Sequence, residues 1–242
     1  MIFFLIPIFN EEKNIPNLFK ELDGILPAEE KFFVFSDDGS TDNTVSELKK
    51  YFSAIPHVVL GDGKNRGPGA AFNCGFEWIL ANQKTEKDLV VTLEADCTSD
   101  ITIVDKMISI NRLGYDLVLA SVYAQGGGFD KTTFLRKFIS SVANLMYRFL
   151  FNINVLTLSS FYRVYTIAIL KKLRDKYSVL IKEPGFICML EILVKAVDTR
   201  ASIIEVPMVL SSKKRIGRSK MKMLKTTYQY FVFLLSTRRK YS

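Results

Sequence analysis

The chain has 242 residues, 48% of them apolar, a size and composition that suit one α/β domain with a substantial core and exclude intrinsic disorder. Its net charge of +8 is unevenly placed: residues 1–100 carry 9 Lys/Arg against 17 Asp/Glu, net −8, and residues 101–242 carry 24 against 8, net +16. A site assembled from both halves would have an acidic side suited to a metal and a basic side suited to an anion. Three cysteines, Cys74, Cys97 and Cys188, form no CxxC pair, which fits free thiols better than a disulfide framework. His57 is the only histidine, so a histidine-rich metal site is excluded, and a Ser-His-Asp triad would depend on a residue that opens an apolar strand. Neither MIFFLIPIF, which lacks a basic leader and is broken by Pro7, nor the six-residue YFVFLL can span a bilayer, and no signal peptide is expected.

In chain order, IFFLIPI, FFVFS, HVVL, DLVVTLE and DLVLASV read as strands. Helices are predicted between them over 11–25, 41–51, 68–82 and 101–112. Strands this uniformly apolar are covered on both faces, which predicts a largely parallel sheet whose ligands gather at the carboxyl ends of the strands. The pattern changes after Val122. A GGG loop at 126–128 leads into an amphipathic stretch over 132–151 bearing Arg136, Lys137 and Arg148, and then into the aromatic run SSFYRVY. A helix over 186–197, the strand ASIIEVPMVL, a basic segment and an aromatic helix over 226–235 complete the chain. No internal repeat or linker is expected.

Four stretches carry residues suited to chemistry. In LVVTLEADCTSD, Glu94 and Asp96 are two apart and share a side if the strand persists to its end. Like charges held together raise each other's pKa, and a cation between them relieves that repulsion; the simpler reading is a strand end followed by a helix cap at Ser99 or Asp100. In SDDGSTDNT, Asp37 and Asp38 leave a strand, where Asp37 can accept hydrogen bonds from a base or ribose, although Asp-Gly-Ser is also ordinary turn chemistry. In KNRGPGAAFNCGF, small residues at Gly67, Gly69 and Gly75 allow a backbone or ligand to approach closely, with Arg66 placed to reach a phosphate or base. No Gly-Lys-Ser/Thr follows, so this is not a Walker A loop, and PIFNEE stands where a dinucleotide-binding GxGxxG would follow the first strand. The run SKKRIGRSKMKMLK contains no acid. It suits a solvated face, a nucleic-acid patch or a loop that clamps a diphosphate, and its lack of interleaved aromatics counts against nucleic acid.

Taken together and in order, PIFNEEKNI, DDGSTDNT, NRGPGAAFNCGF, EADCTSD, GGG, SSFYRVY, EPGFICMLE and EVPMVLSSKKRIGRSKMK resemble glycosyltransferase family 2, most of all its dolichyl- and polyprenyl-phosphate mannosyltransferase branch. The likeness runs from Pro7 to about Lys222. It implies a GT-A fold over 1–225, a Rossmann-like and mostly parallel sheet flanked by helices in a single domain, with 226–242 a C-terminal aromatic and basic helix able to contact a membrane. It also implies a nucleotide-sugar donor, a GDP- or UDP-hexose, held at Pro7, Asn10, Glu11, Asp37, Asp38 and Arg66. Glu94 and Asp96 would grip Mg²⁺ or Mn²⁺, hard cations that prefer oxygen. Arg136, Ser140 and Arg163 would hold the acceptor, and Arg218, Ser219 and Lys220 match a mobile Gly-x-Ser-Lys loop. Asp96, Arg218 and Lys220 are the residues expected to carry catalysis, neutralising charge on the leaving nucleotide.

The chain departs from that pattern at Glu94, one methylene longer than the usual Asp; at Thr98, where Gln is common; at Val122, which removes an expected cation; and in TLSSFYR. The leading expectation is an inverting, metal-dependent transferase acting on a polyprenyl-phosphate or other lipid-linked acceptor at the cytoplasmic face of a membrane, with peripheral contact and no nucleic-acid partner. The alternatives are a transferase acting on a sugar hydroxyl in surface glycan assembly, and a non-catalytic nucleotide-sugar-binding homologue.

Overall fold

The computed structural model describes residues 1–130 and 154–217, together with Thr226, Gln229, Tyr230, Val232 and Phe233. The amphipathic stretch over 132–151, Arg136 and Ser140 within it, and Arg218, Ser219 and Lys220 lie outside the described residues.

The elements run β1 (Ile2–Ile8), α1 (Ile15–Leu22), β2 (Lys31–Asp37), α2 (Thr44–Tyr51), β3 (His57–Leu60), α3 (Pro68–Asn82) and β4 (Leu89–Thr92). A 3-10 turn (Ile101–Ile103) leads into α4 (Val104–Asn111), followed by β5 (Leu117–Ser121), β6 (Gly128–Phe129), β7 (Arg163–Thr166), α5 (Ile167–Tyr177), α6 (Cys188–Asp198), β8 (Ile203–Pro207) and β9 (Val209–Leu210). Seven strands form one sheet in the order β3-β2-β1-β4-β7-β5-β8, and β6 pairs with β9 apart from it. All neighbours in the large sheet are parallel except β7, which runs antiparallel to both β4 and β5.

The continuous apolar strands are explained by two core layers, one on each face of the sheet. Along β1, Phe3 and Leu5 join the layer that holds Phe72, Phe76 and Ile79 of α3, while Ile2, Phe4, Ile6 and Ile8 join the layer that holds Ile15, Leu18 and Leu22 of α1. Tyr230 and Phe233 pack with the first of these layers, so these two aromatics face the core. His57 belongs to the packing as well: its ring lies edge-on to Phe35 at 6.2 Å, and its Nδ1 is 2.9 Å from the Ile55 carbonyl oxygen.

Pro7 sits in the central strand because of where β4 stops. The Asp38 N–H donates to the Ile8 carbonyl and the Leu93 N–H to the Leu5 carbonyl, so Ile8 points to β2, and by alternation Pro7 points to the β4 side. The β1–β4 pairing ends at Leu5 and Thr92, so the N–H that Pro7 lacks has no ladder partner to lose. That early separation opens a crevice where the strand order reverses, with β2 on one side of β1 and β4 on the other. In α/β sheets such crevices are where ligands bind.

Candidate active site at the carboxyl edge of the sheet

The carboxyl ends of β1, β2, β4, β5 and β8 share one edge of the sheet, and the loops after β1 and β2 are laced together there. Asn10, in the left-handed conformation at φ 52°, donates its N–H to Ser40 Oγ (2.9 Å) and accepts from the Thr41 N–H (2.7 Å). The Glu11 N–H donates to Thr44 Oγ1 (2.7 Å), which in turn donates to Asp42. Both Asp37 oxygens accept from the Ser40 N–H at 3.2 Å, so the turn reading of SDDGS describes what Asp37 does here. Asp38 is buried and accepts from the Arg66 (2.7 Å) and Gly67 (2.9 Å) N–H groups; burial raises its pKa, and the two amides act against that rise. The Arg66 guanidinium is turned outward onto Asp62, at 2.9 and 2.6 Å.

The glycines beside Arg66 accommodate another stretch of backbone. A Cβ on Gly67 would overlap the Pro184 carbonyl oxygen and one on Gly69 the Glu183 carbonyl oxygen, and Gly67 also has φ +96°. The Gly69 N–H donates to Pro184 at 2.8 Å. Behind that contact, Glu191 accepts from the Lys182 and Glu183 N–H groups and pairs with Lys195 at 2.6 Å in the interior.

The second acidic pair forms in a different way from that predicted. β4 ends at Thr92 and the chain turns, with Cys97 at φ +59°, so Glu94 and Asp96 are brought together by a turn and not by strand alternation. Glu94 accepts from Ser99 Oγ at 2.8 Å. Desolvation, and then the Asp96 charge, push its carboxyl up to about 7, with Ser99 and Arg215 pulling the other way. Asp96 is buried; its Oδ1 accepts from the Thr98 N–H (3.1 Å) and Oγ1 (2.7 Å), and its Oδ2 accepts from Arg215 Nε (2.6 Å) and Nη2 (2.5 Å). Asp100 accepts from the Thr102 N–H (3.1 Å) and so caps the 3-10 turn, as the simpler reading of the stretch required.

This oxygen-rich turn fits a hard divalent cation. Burial, and then the neighbouring Asp96 charge, make Glu94 resist ionisation, and a cationic group, the Arg215 guanidinium, already stands against Asp96. Among the described residues no three His, Cys, Asp or Glu side chains converge to cage an ion alone. One or two carboxylates completed by substrate phosphates and water is the usual Mg²⁺ arrangement.

Facing the pair is a strap over 211–217. The Ser211 N–H donates to the Thr98 carbonyl (2.9 Å), Ser211 and Ser212 bond Asp130, Lys214 pairs with Glu21 (2.8 Å), and the Ile216 N–H donates to Asn14 Oδ1 (2.9 Å). Sequence reasoning grouped Arg215 with its basic neighbours and did not consider Asn14. No spacing rule singles out one arginine in a run of cations.

On the acceptor side, Arg163 does not take the place expected of it. It opens β7 in register with Thr92 and is fully buried, with Nε on the Ser160 carbonyl (2.7 Å), Nη2 on the Leu158 carbonyl (2.9 Å) and Nη1 near Tyr165 Oη (3.4 Å). Two of its nitrogens are committed to carbonyls of the preceding loop and the third faces Tyr165 within β7, so in this geometry it holds the chain together and is turned away from the surface. Val122 is also buried, and Ser121 Oγ is 2.6 Å from Thr157 Oγ1.

The family model for glycosyl transferase family 2 matches residues 3–174. The polyprenol monophosphomannose synthase of Mycolicibacterium smegmatis is 28% identical over 220 residues, which cover 90% of this chain and 79% of that protein. The dolichol-phosphate mannosyltransferase of Pyrococcus furiosus is 29% identical over 93% of this chain, which spans 60% of that protein's length. Among solved structures, glucosyl-3-phosphoglycerate synthase of Mycobacterium tuberculosis, in complex with Mn²⁺, UDP and glucosyl-3-phosphoglycerate, superposes over 98% of this chain and 79% of its own, with a TM-score of 0.66 at 18% identity. A single-domain, mostly parallel GT-A sheet and a family match over most of its length make this chain a glycosyltransferase, a member of glycosyl transferase family 2.

Proposed function

We propose that the protein transfers a hexose, with inversion, from a nucleoside diphosphate sugar to a polyprenyl-phosphate or other lipid-linked acceptor at a membrane surface. The observation that carries this reading is the Glu94–Asp96 turn beyond β4, where the strand order reverses, with the Arg215 guanidinium against it. The names of the relatives, a polyprenol monophosphomannose synthase and a dolichol-phosphate mannosyltransferase, support the acceptor class, and the Mn²⁺ and UDP of the mycobacterial synthase support the donor class. No described helix is long and apolar enough to cross a membrane.

In this reading the loops after β1 and β2, with Pro7, Asn10, Glu11, Asp37, Asp38 and Arg66, form the wall for the nucleoside, and Glu94 and Asp96 hold Mg²⁺ or Mn²⁺. When bound, the ion neutralises charge on the diphosphate. An acceptor phosphate oxygen forms its bond to the anomeric carbon as the bond from that carbon to the diphosphate oxygen breaks, and the nucleoside diphosphate leaves. Arg218 and Lys220 follow the strap and are assigned to the leaving diphosphate; Arg136 and Ser140 are assigned to the acceptor. A phosphate acceptor is already ionised and needs little help from a base, whereas a sugar hydroxyl would have to pass its proton to a carboxylate.

The buried Val122 and the inward Arg163 favour a second reading, transfer to a sugar hydroxyl, because both remove cations from the acceptor side. A thermal-shift screen of GDP-, UDP- and CDP-sugars with and without Mn²⁺ tests the donor half; stabilisation by one nucleotide only when Mn²⁺ is present is expected, and no metal-dependent stabilisation by any of them would overturn it. Product formation with polyprenyl phosphate, set against a panel of sugar acceptors, then separates the two acceptors.

A further inference from the structure

We propose that Arg215 is an internal competitor for the cation position: its guanidinium occupies Asp96 in the metal-free protein and is exchanged for the divalent ion when that ion binds. The inference rests on the reading of Glu94 and Asp96 as cation ligands and adds a regulator to that same site.

Four bonds converge on Asp96, two from Thr98 to Oδ1 and two from Arg215 to Oδ2. A carboxylate has about four acceptor positions, so this one is fully engaged. An ion such as Mg²⁺ needs an oxygen at roughly 2.0–2.1 Å along a direction that a nitrogen at 2.5–2.6 Å already fills. Thr98 belongs to the same turn as Asp96 and moves with it, whereas Arg215 comes from 119 residues away and can leave. Arg215 is therefore the exchangeable partner.

Charge favours the exchange. A guanidinium balances one of the two carboxylates in the turn, and a divalent ion balances both. The diphosphate that arrives with the ion is itself a bidentate partner for a released guanidinium, so Arg215 passes from one anion to another without crossing an unpaired state.

The described attachments of the strap suit such a move. Besides Arg215 they are polar: the partly exposed Lys214–Glu21 pair, the Ile216 N–H to the buried Asn14, the Ser211 N–H to the carbonyl of the buried Thr98, and Ser211 and Ser212 to Asp130. Ile216 is 45% exposed. The exposed pair contributes little, and the remaining bonds are polar ones that water can replace when the strap moves. Asn14 by contrast is buried and accepts the strap on the loop that follows β1, which gives the segment a fixed point to pivot on and return to.

The test is a Mn²⁺ titration of the full chain without nucleotide, following free Mn²⁺ by electron paramagnetic resonance, in the unmodified protein, Arg215→Gln and Asp96→Asn. Arg215→Gln should bind Mn²⁺ about tenfold more tightly than the unmodified protein, and Asp96→Asn should lose the site. Affinity in Arg215→Gln that is equal to or weaker than that of the unmodified protein overturns the exchange while leaving the cation reading in place; no binding in either protein overturns both. A second measurement needs no variant and separates displacement from a simple change in local charge. Tryptic cleavage after Arg215, followed by mass spectrometry, should become faster when Mn²⁺ alone is added, and an unchanged rate overturns the displacement.

Discussion

Two pairs of acids leave the two parallel strands that flank β1, at the same edge of the sheet, and they are put to different uses. Asp37 and Asp38, after β2, are committed to backbone: Asp37 to the Ser40 N–H, and Asp38 to Arg66 and Gly67. Glu94 and Asp96, after β4, are held by two hydroxyls, by the Thr98 N–H within their own turn and, at Asp96 Oδ2, by a guanidinium from a distant strap. A carboxylate that accepts from main-chain amides shapes a loop and cannot change partner without unfolding it. One that accepts from a side chain on a surface strap can. The difference agrees with the proposal that the second pair takes up a cation while the first shapes the wall beside it.

The sharpest way to break that contrast is Asp96→Asn. Turnover should fall about 10³-fold, about 4 kcal/mol, because the variant keeps the shape and loses the charge that fixes the ion. Transfer at the unmodified rate would remove Asp96 from the reaction. Arg163→Met tests commitment on the other side of β4. It leaves the Leu158 and Ser160 carbonyls without their donor in the interior, and urea denaturation should show a loss of about 3 kcal/mol with acceptor KM unchanged. A raised acceptor KM at unchanged stability would restore Arg163 to the acceptor site. Asp38→Ala should cost about 2 kcal/mol by the same measurement, since the Arg66 and Gly67 N–H groups lose their acceptor.

Legibility in the sequence follows the same division. β1 and α3 have the predicted limits because an unbroken apolar run and a Pro after a left-handed Gly are local signals. α1 is shorter than the predicted 11–25, at Ile15–Leu22, because the chain around Glu11–Asn14 is turned to bond the loop after β2. β7 went unread as a strand: four residues opened by an arginine show no strand pattern, and the antiparallel place between β4 and β5 is set by tertiary pairing. At the site, Glu94 and Asp96 were legible as a pair, but the turn that joins them was not, since it depends on Cys97 taking a left-handed backbone that its sequence does not announce. Arg215 was illegible for a simpler reason. Its partner lies 119 residues away.

The finest test of the comparison is pH, because Glu94 alone of the four acids is driven to about 7. Its carboxyl ordinarily titrates near 4.5, so between the two values the native protein holds a proton that the unfolded chain releases. The resulting stabilisation is fully present below about 4.5 and is lost as pH rises through about 7. Discounted for partial solvent access, the effect should be about 1–2 kcal/mol, a fall in Tm of roughly 4 °C across that window in metal-free buffer. Glu94→Gln has no such proton to lose, so its Tm should not show this fall and the difference between the two proteins' Tm should change over the same range. Mn²⁺ competes with that proton for the same oxygens, so it should raise Tm more at pH 7.5 than at pH 5.5 in the unmodified protein. Parallel profiles for the two proteins in metal-free buffer would show that Glu94 pays nothing for its ionisation, and the second pair would then be no better poised for a cation than the first.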